Sequence, residues 1–586
     1  MRVIVRFCSL FALVVIVVLS SGCELWVNRF VLPNDNVRSP QYKVDVERSV
    51  AFQTADGITL VADIYRPHTS EVVPTILVRI PFSATFKNNL GVDGVGKFWA
   101  RRGYNVVIQG TRGRYKSSGM YYPMLYELQD GIETLRWLSK QKWFDGRLGM
   151  WGGSAFGYTQ WVLADADPGP KALMIQIAST NFREMFHPGG AFSLESALFW
   201  AVRSRGEKDE DPSFKDLERG FNGWPLIEAD NRAAKDIPFF NDWARHVSAD
   251  EYWQSVDGEN RAKTLKAPVL LMAGWSDPFL PTQLRDFETL KRSAAPHVAA
   301  QSRLIIGPWA HAEAVRFPDG STTGEYRKAS LSPSIAWFDH HLRGEPLDRS
   351  LASPVRLYVM GENVWRDEQE WPLARTQYTS FYLHSAGHAN SETGDGRLTT
   401  ESPVENQLAD SYLYDPRHPV PSRGGAMLGP RAGIFLQNDV EARSDVLVYS
   451  TAPILQDLEV TGPVSAVLYV TTTAPNTDFT AKLVDVFPDG RAYNVTDGIL
   501  RRSYTPIPAQ HTSTQITIHL WPTSMLFRQG HRIRVEISSS NFPRYDRNPN
   551  TGGDILLETN PVAATQTVEH NAMAKSQIIL PVIPRF

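Results

Sequence analysis

The run Leu148-Gly-Met-Trp-Gly-Gly-Ser-Ala-Phe-Gly157 carries the most pointed chemistry in this chain. An apolar stretch leads into Ser154, flanked by Gly152 and Gly157, and a segment able to form a helix follows. A nucleophilic serine needs this arrangement. A sharp strand-to-helix turn lifts the hydroxyl clear of a sheet, and the N–H groups that open the helix face the oxyanion formed when serine attacks a carbonyl. The spacing is Gly-x-Ser-x-x-Gly rather than the commoner Gly-x-Ser-x-Gly, and taken alone it also describes a turn with an idle serine. Serine requires a base, and the base requires a carboxylate to orient it. Two more apolar runs end in such residues. Val269 to Ala273 continues into Gly274-Trp275-Ser276-Asp277, and Leu304 to Ile306 into Gly307-Pro308-Trp309-Ala310-His311. An Asp or His after a strand is often only a cap or turn residue. These two follow Ser154 in the order acid, then histidine, each past the end of a run, where open α/β sheets gather their sites. Ser154, Asp277 and His311 are therefore the expected nucleophile, orienting acid and base, with the N–H of Ala155 as an oxyanion donor.

These positions need a parallel sheet to hold them. Six short apolar runs (Thr75 to Arg79, Val106 to Gln109, Leu148 to Trp151, Leu173 to Ile177, Val269 to Ala273, Leu304 to Ile306) are spaced by helix-length stretches, which predicts strands buried on both faces in an α/β domain. Asp130 to Lys140 reads as one of the helices. Val50 to Pro67 reads as a hairpin around Asp56-Gly57. Residues 181–264 interrupt the pattern with aromatics but no strand-like runs, and predict a mainly helical cap over the strand ends; the charged stretch 207–211 reads as a solvated loop. After about residue 350 the pattern becomes alternating, as in Ile516/Ile518/Leu520 and Ile533/Val535/Ile537, which predicts an all-β sandwich or jelly roll. The expected layout is a signal peptide (1–22), a tether (23–43), the α/β domain in two parts (44–180 and 265–350) around the cap (181–264), and the β domain (351–586).

At 586 residues the chain is too long for one core. Its charges are mixed and nearly balanced, net −3, which gives no footprint for nucleic acid. Arg2 and Arg6 followed by the apolar run Phe7 to Ser20 resemble an export signal, and Leu19-Ser-Ser-Gly-Cys23 resembles the bacterial lipoprotein cleavage site, with Cys23 as the lipidated residue. A plain signal peptide or a short uncleaved anchor remains open. Cys8 and Cys23 are the only cysteines. A processed chain would have no internal disulfide and no cysteine metal site. The expected location is the bacterial cell envelope, held to a membrane by the N-terminal lipid.

The chain resembles the CocE/NonD hydrolases, the group of cocaine esterase, α-amino acid ester hydrolases and X-Pro dipeptidyl-peptidases. The likeness rests on Ala55-Asp-Gly57, Arg66-Pro67, Gln109-Gly-Thr-Arg-Gly113, Gly152 to Gly157, Ala273 to Asp277, Gly307 to His311, Trp337-Phe-Asp339, Tyr414-Asp-Pro416, Pro419 to Gly425 and Asn541 to Gly552. It implies an α/β-hydrolase domain with an inserted helical cap, followed by a jelly roll of the galactose-binding-like type. It also implies a Ser-Asp-His mechanism on esters or amides without metal or cofactor. Three departures stand out. The family's oxyanion-hole tyrosine matches Phe82, which has no donor to offer; Ser83 is the nearest substitute. Ala155 stands where tyrosine is common. Gly110 stands where the family has Asp. The acidic residues with which α-amino acid ester hydrolases hold an ammonium are missing after Asp277, where Pro278-Phe279-Leu280 follows; Phe279 resembles an acyl-pocket aromatic of the cocaine-esterase branch, and Trp200 of the cap is a second pocket candidate. The expected function is hydrolysis of a small ester, amide or short peptide. The alternatives are an X-Pro dipeptidyl-peptidase and, from another class, a degenerate surface-anchored binding protein, which Phe82 favours and a complete triad opposes.

Overall fold

The computed structural model describes residues 38–585 except 207–210, 312, 313, 323, 325 and 505–512. The expected signal peptide, Cys23 and most of the tether lie outside the described residues.

Ten strands form the first sheet: β1 (Val44–Gln53), β2 (Thr59–Pro67), β3 (Thr75–Ile80), β4 (Asn105–Gly110), β5 (Leu148–Gly153), β6 (Ala172–Gln176), β7 (Val269–Ser276), β8 (Arg303–Ala310), β9 (Val355–Val359) and β10 (Val364–Glu368). They lie in the order β1-β2-β4-β3-β5-β6-β7-β8-β9-β10. From β4 to β9 every pairing is parallel. Each of the six apolar runs is one of the strands β3 to β8. Their Val, Ile, Leu and Met side chains leave both faces dry because helices cover both. The helices used below are α1 (Phe86–Ala100), α2 (Glu127–Leu138), α3 (Ala155–Trp161), α4 (Leu194–Ser204), α5 (Phe214–Phe221), α6 (Pro238–Arg245), α7 (Leu280–Ser293) and α8 (Leu331–Arg343). Trp99 of α1 and Phe338 of α8 pack in one core layer, Trp161 of α3 and Leu284 of α7 in the other. The hairpin β1–β2 forms around Asp56-Gly57 as expected, with Ala51 opposite Val61. β2 itself is buried along nearly its whole length, since it also pairs with β4 and lies under α1.

The sheet does not stop at 350. β9 pairs with β8 and β10 with β9, so the hydrolase layer runs to Glu368. Val355-Arg-Leu-Tyr-Val359 alternates in the same way as the strands that follow it, and only its partner assigns it to the first sheet.

The described residues of 181–264 form short helices and no strand, among them α4, α5 and α6. The end of α4 is gripped from the strand ends: the Arg114 guanidinium, four residues past β4, donates to Ser204 O and to Gly206 O (2.8 Å).

The second sheet system holds eleven strands: β11 (Gln377–His384), β12 (Arg397–Thr399), β13 (Asp410–Tyr414), β14 (Leu447–Ser450), β15 (Leu458–Thr472), β16 (Asn476–Val486), β17 (Ala492–Ser503), β18 (Thr514–Phe527), β19 (Arg532–Ser538), β20 (Ala564–Glu569) and β21 (Gln577–Ile583). All but one of their pairings are antiparallel; β12 meets β14 in parallel. Ile516, Ile518, Ile533, Val535 and Ile537 point into one shared core, as their alternation predicts.

The motif segments of the β domain seat the cap. Phe192 N–H donates to Asp546 Oδ1 and Asp546 N–H donates to Phe192 O, both at 2.8 Å. Glu195 N–H donates to Pro543 O at 3.0 Å. Asp546 is held in turn by Arg501, which also bridges to Asp478. A buried ion pair contributes little net stability when intact but is costly to halve, so such a network fixes geometry more than it adds energy.

Candidate active site

Ser154 stands between β5 and α3 with φ 57° and ψ −129°. A residue with a side chain is strained at positive φ and persists there only where the surroundings hold it. The surroundings are explicit. Ser154 N–H donates to Gln176 O on neighbouring β6 at 2.9 Å, and Ser154 O accepts from Gly157 and Tyr158 N–H at 2.8 and 3.0 Å. A side chain at Gly152 would begin 2.5 Å from Phe156 Cβ, and one at Gly157 would begin 2.6 Å from Ala178 Cβ. The two glycines of the motif are what let the turn close so tightly.

His311, past β8, reaches the serine: its Nε2 lies 2.9 Å from Ser154 Oγ. Its Nδ1 lies 2.6 Å from Asp277 Oδ2. Asp277 follows β7 and is fully buried; His311 keeps 13% of its side chain exposed. The other Asp277 oxygen, Oδ1, accepts from Phe279 N–H at 2.8 Å. The three residues expected from their order in the chain thus form one hydrogen-bonded line, acid to imidazole to hydroxyl. Ala155 is the first residue of α3, where an N–H has no acceptor within its own helix.

Phe82 lies two residues beyond β3, half-buried. Its ring meets Phe156 edge-on, with centroids 5.0 Å apart, and Phe156 is two residues past Ser154. A ring without a polar atom therefore borders the elbow. The Arg203 guanidinium of α4 sits 5.9 Å over the same ring. Ser83 is buried and engaged: it forms a backbone bridge with Tyr115 and its O accepts from Thr85 N–H. Gly110 also finds its reason. A side chain there would begin 2.5 Å from Arg114 O and 2.7 Å from Tyr115 Cβ, which leaves no room for the family's Asp.

Phe279 is 2% exposed and its ring centroid is 5.7 Å from that of His311. It continues into Phe182 at 5.1 Å, Phe182 into Trp200 at 6.0 Å, and Trp200 into Trp243 at 5.0 Å. Phe182 packs against both Phe279 and Trp200 and so joins them. Phe182 was not anticipated, although it follows closely on the C-terminal end of β6, a place that could have flagged it. Two carboxylates fasten its segment, Asp257 half-buried and Asp286 buried. Asp257 Oδ1 accepts from Phe182 N–H at 2.7 Å, and Asp286 accepts from Ser179 Oγ at 2.8 Å and from Thr180 N and Oγ1 at 2.9 and 2.6 Å. Burial pushes the Asp257 carboxyl up to about 7 and that of Asp286 to about 6, against those hydrogen bonds. The β domain closes the far side: Met427 and Ala432 pack on Ala310 and Val315, on either side of His311 in sequence. Among the described residues no cluster of His, Cys, Asp and Glu is arranged to hold a metal ion.

A family model described as X-Pro dipeptidyl-peptidase (S15 family) matches residues 56–313, and one described as X-Pro dipeptidyl-peptidase C-terminal non-catalytic domain matches residues 350–579. The chain is similar to cocaine esterase from Rhodococcus sp. (strain MB1 Bresler), 38% identical over 576 residues, 92% of this chain and 99% of that protein. Among solved structures, it shares its fold with an aminopeptidase from a marine sediment archaeon, Thaumarchaeota archaeon (TM-score 0.77, 24% identity, 94% of this chain and 99% of that one). It shares it also with an α-amino acid ester hydrolase (TM-score 0.74, 22% identity, 94% and 98%).

Proposed function

Because the chain belongs to the CocE/NonD family of serine hydrolases, with an S15 catalytic domain followed by the family's C-terminal non-catalytic domain, we propose that it cleaves a carboxylic ester with an apolar acyl group through an acyl-enzyme on Ser154. Ser154 Oγ attacks the carbonyl carbon as His311 Nε2 takes its proton. Asp277 keeps the other imidazole proton on Nδ1 and stabilises the imidazolium. The N–H of Ala155 donates to the oxyanion. Collapse of the tetrahedral species breaks the bond to the leaving alcohol, which takes the proton from His311. Water then attacks the acyl-enzyme, giving its proton to His311, and collapse of the second tetrahedral species returns a proton to Ser154 and frees the acid.

The observation that carries the choice of substrate is the aromatic wall from His311 through Phe279 and Phe182 to Trp200. It offers dispersion and apolar burial to an acyl group. The test is kcat/KM for p-nitrophenyl butyrate and benzoate against Ala-Pro-p-nitroanilide. Esters are expected to lead by at least about a hundredfold, ~2.7 kcal/mol of transition-state preference. A lead for the anilide would make the chain a dipeptidyl-peptidase instead. Fluorophosphonate labelling that disappears in Ser154→Ala supports the nucleophile; labelling that survives removes it, and a folded wild type that neither labels nor turns over is a binding protein.

The same reading places the chain in the cell envelope, anchored through Cys23. Its support is the charged start, the apolar run Phe7 to Ser20 and the Cys that closes it. Metabolic labelling with a fatty-acid analogue should mark the wild type and not Cys23→Ser. A mature N-terminus at any other residue would refute lipidation.

A further inference from the structure

We propose that the joint between the hydrolase sheet and the jelly roll holds a second ligand site, suited to a primary amine on a single aromatic ring. The joint is stitched backbone to backbone. Met360 N–H, just past β9, donates to Ser524 O of β18 at 3.0 Å, and Leu526 N–H donates to Met360 O at 2.8 Å. Beside this stitch lies a cavity of about 200 Å³, lined from both domains and by none of Ser154, Asp277 and His311. An engineered apolar cavity of about 150 Å³ admits benzene, so one substituted ring fits.

The lining explains both halves of the ligand. Phe317 and Met360 from the hydrolase side and Phe487 and Met525 from the jelly roll give an apolar bed, and thioethers adapt their shape to a ring face. Its charged side chains are weighted toward acceptors, the carboxylates of Asp319 and Asp485 against the guanidinium of Arg528. His531 is buried in the wall with Nδ1 2.8 Å from Asp485 Oδ1. With Nδ1–H donating to that carboxylate, Nε2 of the neutral ring is the acceptor for a ligand N–H. Asp319 lines the cavity as an exposed residue, its Oδ1 receiving the Ser321 N–H and hydroxyl at 2.8 and 2.7 Å. The cation of the lining, Arg528, is already engaged with Asp457 (3.2 Å) and with Gly361 O (3.0 and 3.2 Å). An aromatic acid would meet two carboxylates and a guanidinium that is otherwise occupied. A protonated arylalkyl amine meets acceptors.

The site also has a route to the chemistry. Ser276, which directly precedes Asp277, lines the cavity, and so does Phe317, six positions after His311 in the sequence. A ring seated there bears on both segments that carry the acid and the base. Its effect on turnover is therefore expected in kcat, not as competition with substrate.

The probe is benzylamine, titrated calorimetrically into the full-length Ser154→Ala protein, with benzoate as the control. One-to-one saturable heat is expected for the amine and none for benzoate. Asp319→Asn, an exposed change at the lining, should weaken the amine at least about fivefold, the low end of ordinary coupling. Met525→Trp should abolish binding by filling the cavity; if that variant does not fold, Asp319→Asn carries the test alone. With wild type, hydrolysis of ethyl butyrate followed by pH-stat should change in kcat as benzylamine saturates. Any of three results would overturn the proposal: no saturable heat, equal affinity in Asp319→Asn, or a rise in KM alone, which would put the amine at Ser154.

Discussion

Replacing Asp277 by Asn probes the catalytic line where its geometry is most constrained. The two carboxylate oxygens have different duties. Oδ2 pairs with His311 Nδ1 at 2.6 Å, and Oδ1 accepts from Phe279 N–H at 2.8 Å. That N–H belongs to the turn leading into α7 and cannot rotate away. In Asp277→Asn the amide oxygen is therefore drawn to the Phe279 side, and the NH2 faces His311. An N–H pointing at Nδ1 drives the imidazole proton to Nε2, the nitrogen 2.9 Å from Ser154 Oγ. In that tautomer Nε2 donates to the serine and cannot accept its proton. The same error imposed on a serine protease triad lowers kcat by about 10⁴, which corresponds to ~5.4 kcal/mol of transition-state stabilisation. Asn matches Asp in volume, so no cavity opens and the fold should survive. Steady-state hydrolysis of p-nitrophenyl acetate should show kcat down by about four decades with KM changed less than about threefold, the signature of an interaction made mainly in the transition state. Labelling of Ser154 by a fluorophosphonate should slow in parallel. If the variant kept activity within about tenfold of wild type, the tautomer argument would fail, and with it the role given to His311.

Phe82→Tyr should raise ester turnover by at least about tenfold through kcat, or ~1.4 kcal/mol, because the new hydroxyl bonds best to the tetrahedral oxyanion; an unchanged kcat with the hydroxyl seen beside Ser154 would mean another group already serves the hole. Trp200→Ala removes the half-buried cap end of the aromatic wall and should raise KM for a benzoyl ester about tenfold while barely moving an acetyl ester, in line with ~1.5 kcal/mol of apolar burial; equal effects on both esters would place Trp200 outside the pocket. Asp410 bears on stability. Burial works against its charge, but hydrogen bonds from His570, Ala389 N–H, Ser385 and Tyr449 outweigh it and hold its carboxyl below the usual value. A lowered acid contributes stability above its unfolded value, near pH 3.8, and loses that contribution as pH falls through its folded value. Thermal scans of Asp410→Asn between about pH 6 and 2 should give a lower melting temperature at pH 6 but a shallower acid slope than wild type; parallel slopes would count against this residue.

The parts of this molecule that can be read from sequence are those where one local rule acts alone. Strands β3 to β8 are legible because burial on both faces leaves continuous runs of Val, Ile, Leu and Met, and the ends of three of those strands carry Ser154, Asp277 and His311. β9 is not legible as part of that sheet: Val355-Arg-Leu-Tyr-Val359 follows the same alternating rule as the jelly-roll strands. Phe279 and Trp200 could be named separately, yet the contact joining them passes through Phe182, and no spacing rule links positions so far apart in the chain. Gly110 looked like a lost acid. Its cause is the approach of Arg114 O, a property of the folded loop alone. Asp286, which holds Ser179 and Thr180 beside Phe182, is similarly silent, since an Asp inside a helix such as α7 ordinarily faces water.

The hydrogen bonds from Phe192 and Glu195 to Asp546 and Pro543 set a timetable for the nascent chain. A ribosome makes the elbow first, His311 about midway, and the segment that seats the cap almost last. Domains form in order as they emerge, so the strands around Ser154 have time to assemble while the roof above them still lacks its anchor. Until that last segment is made, the elbow stands under a roof without its anchor, so the jelly roll, which contains none of Ser154, Asp277 and His311, sets when the cap is seated.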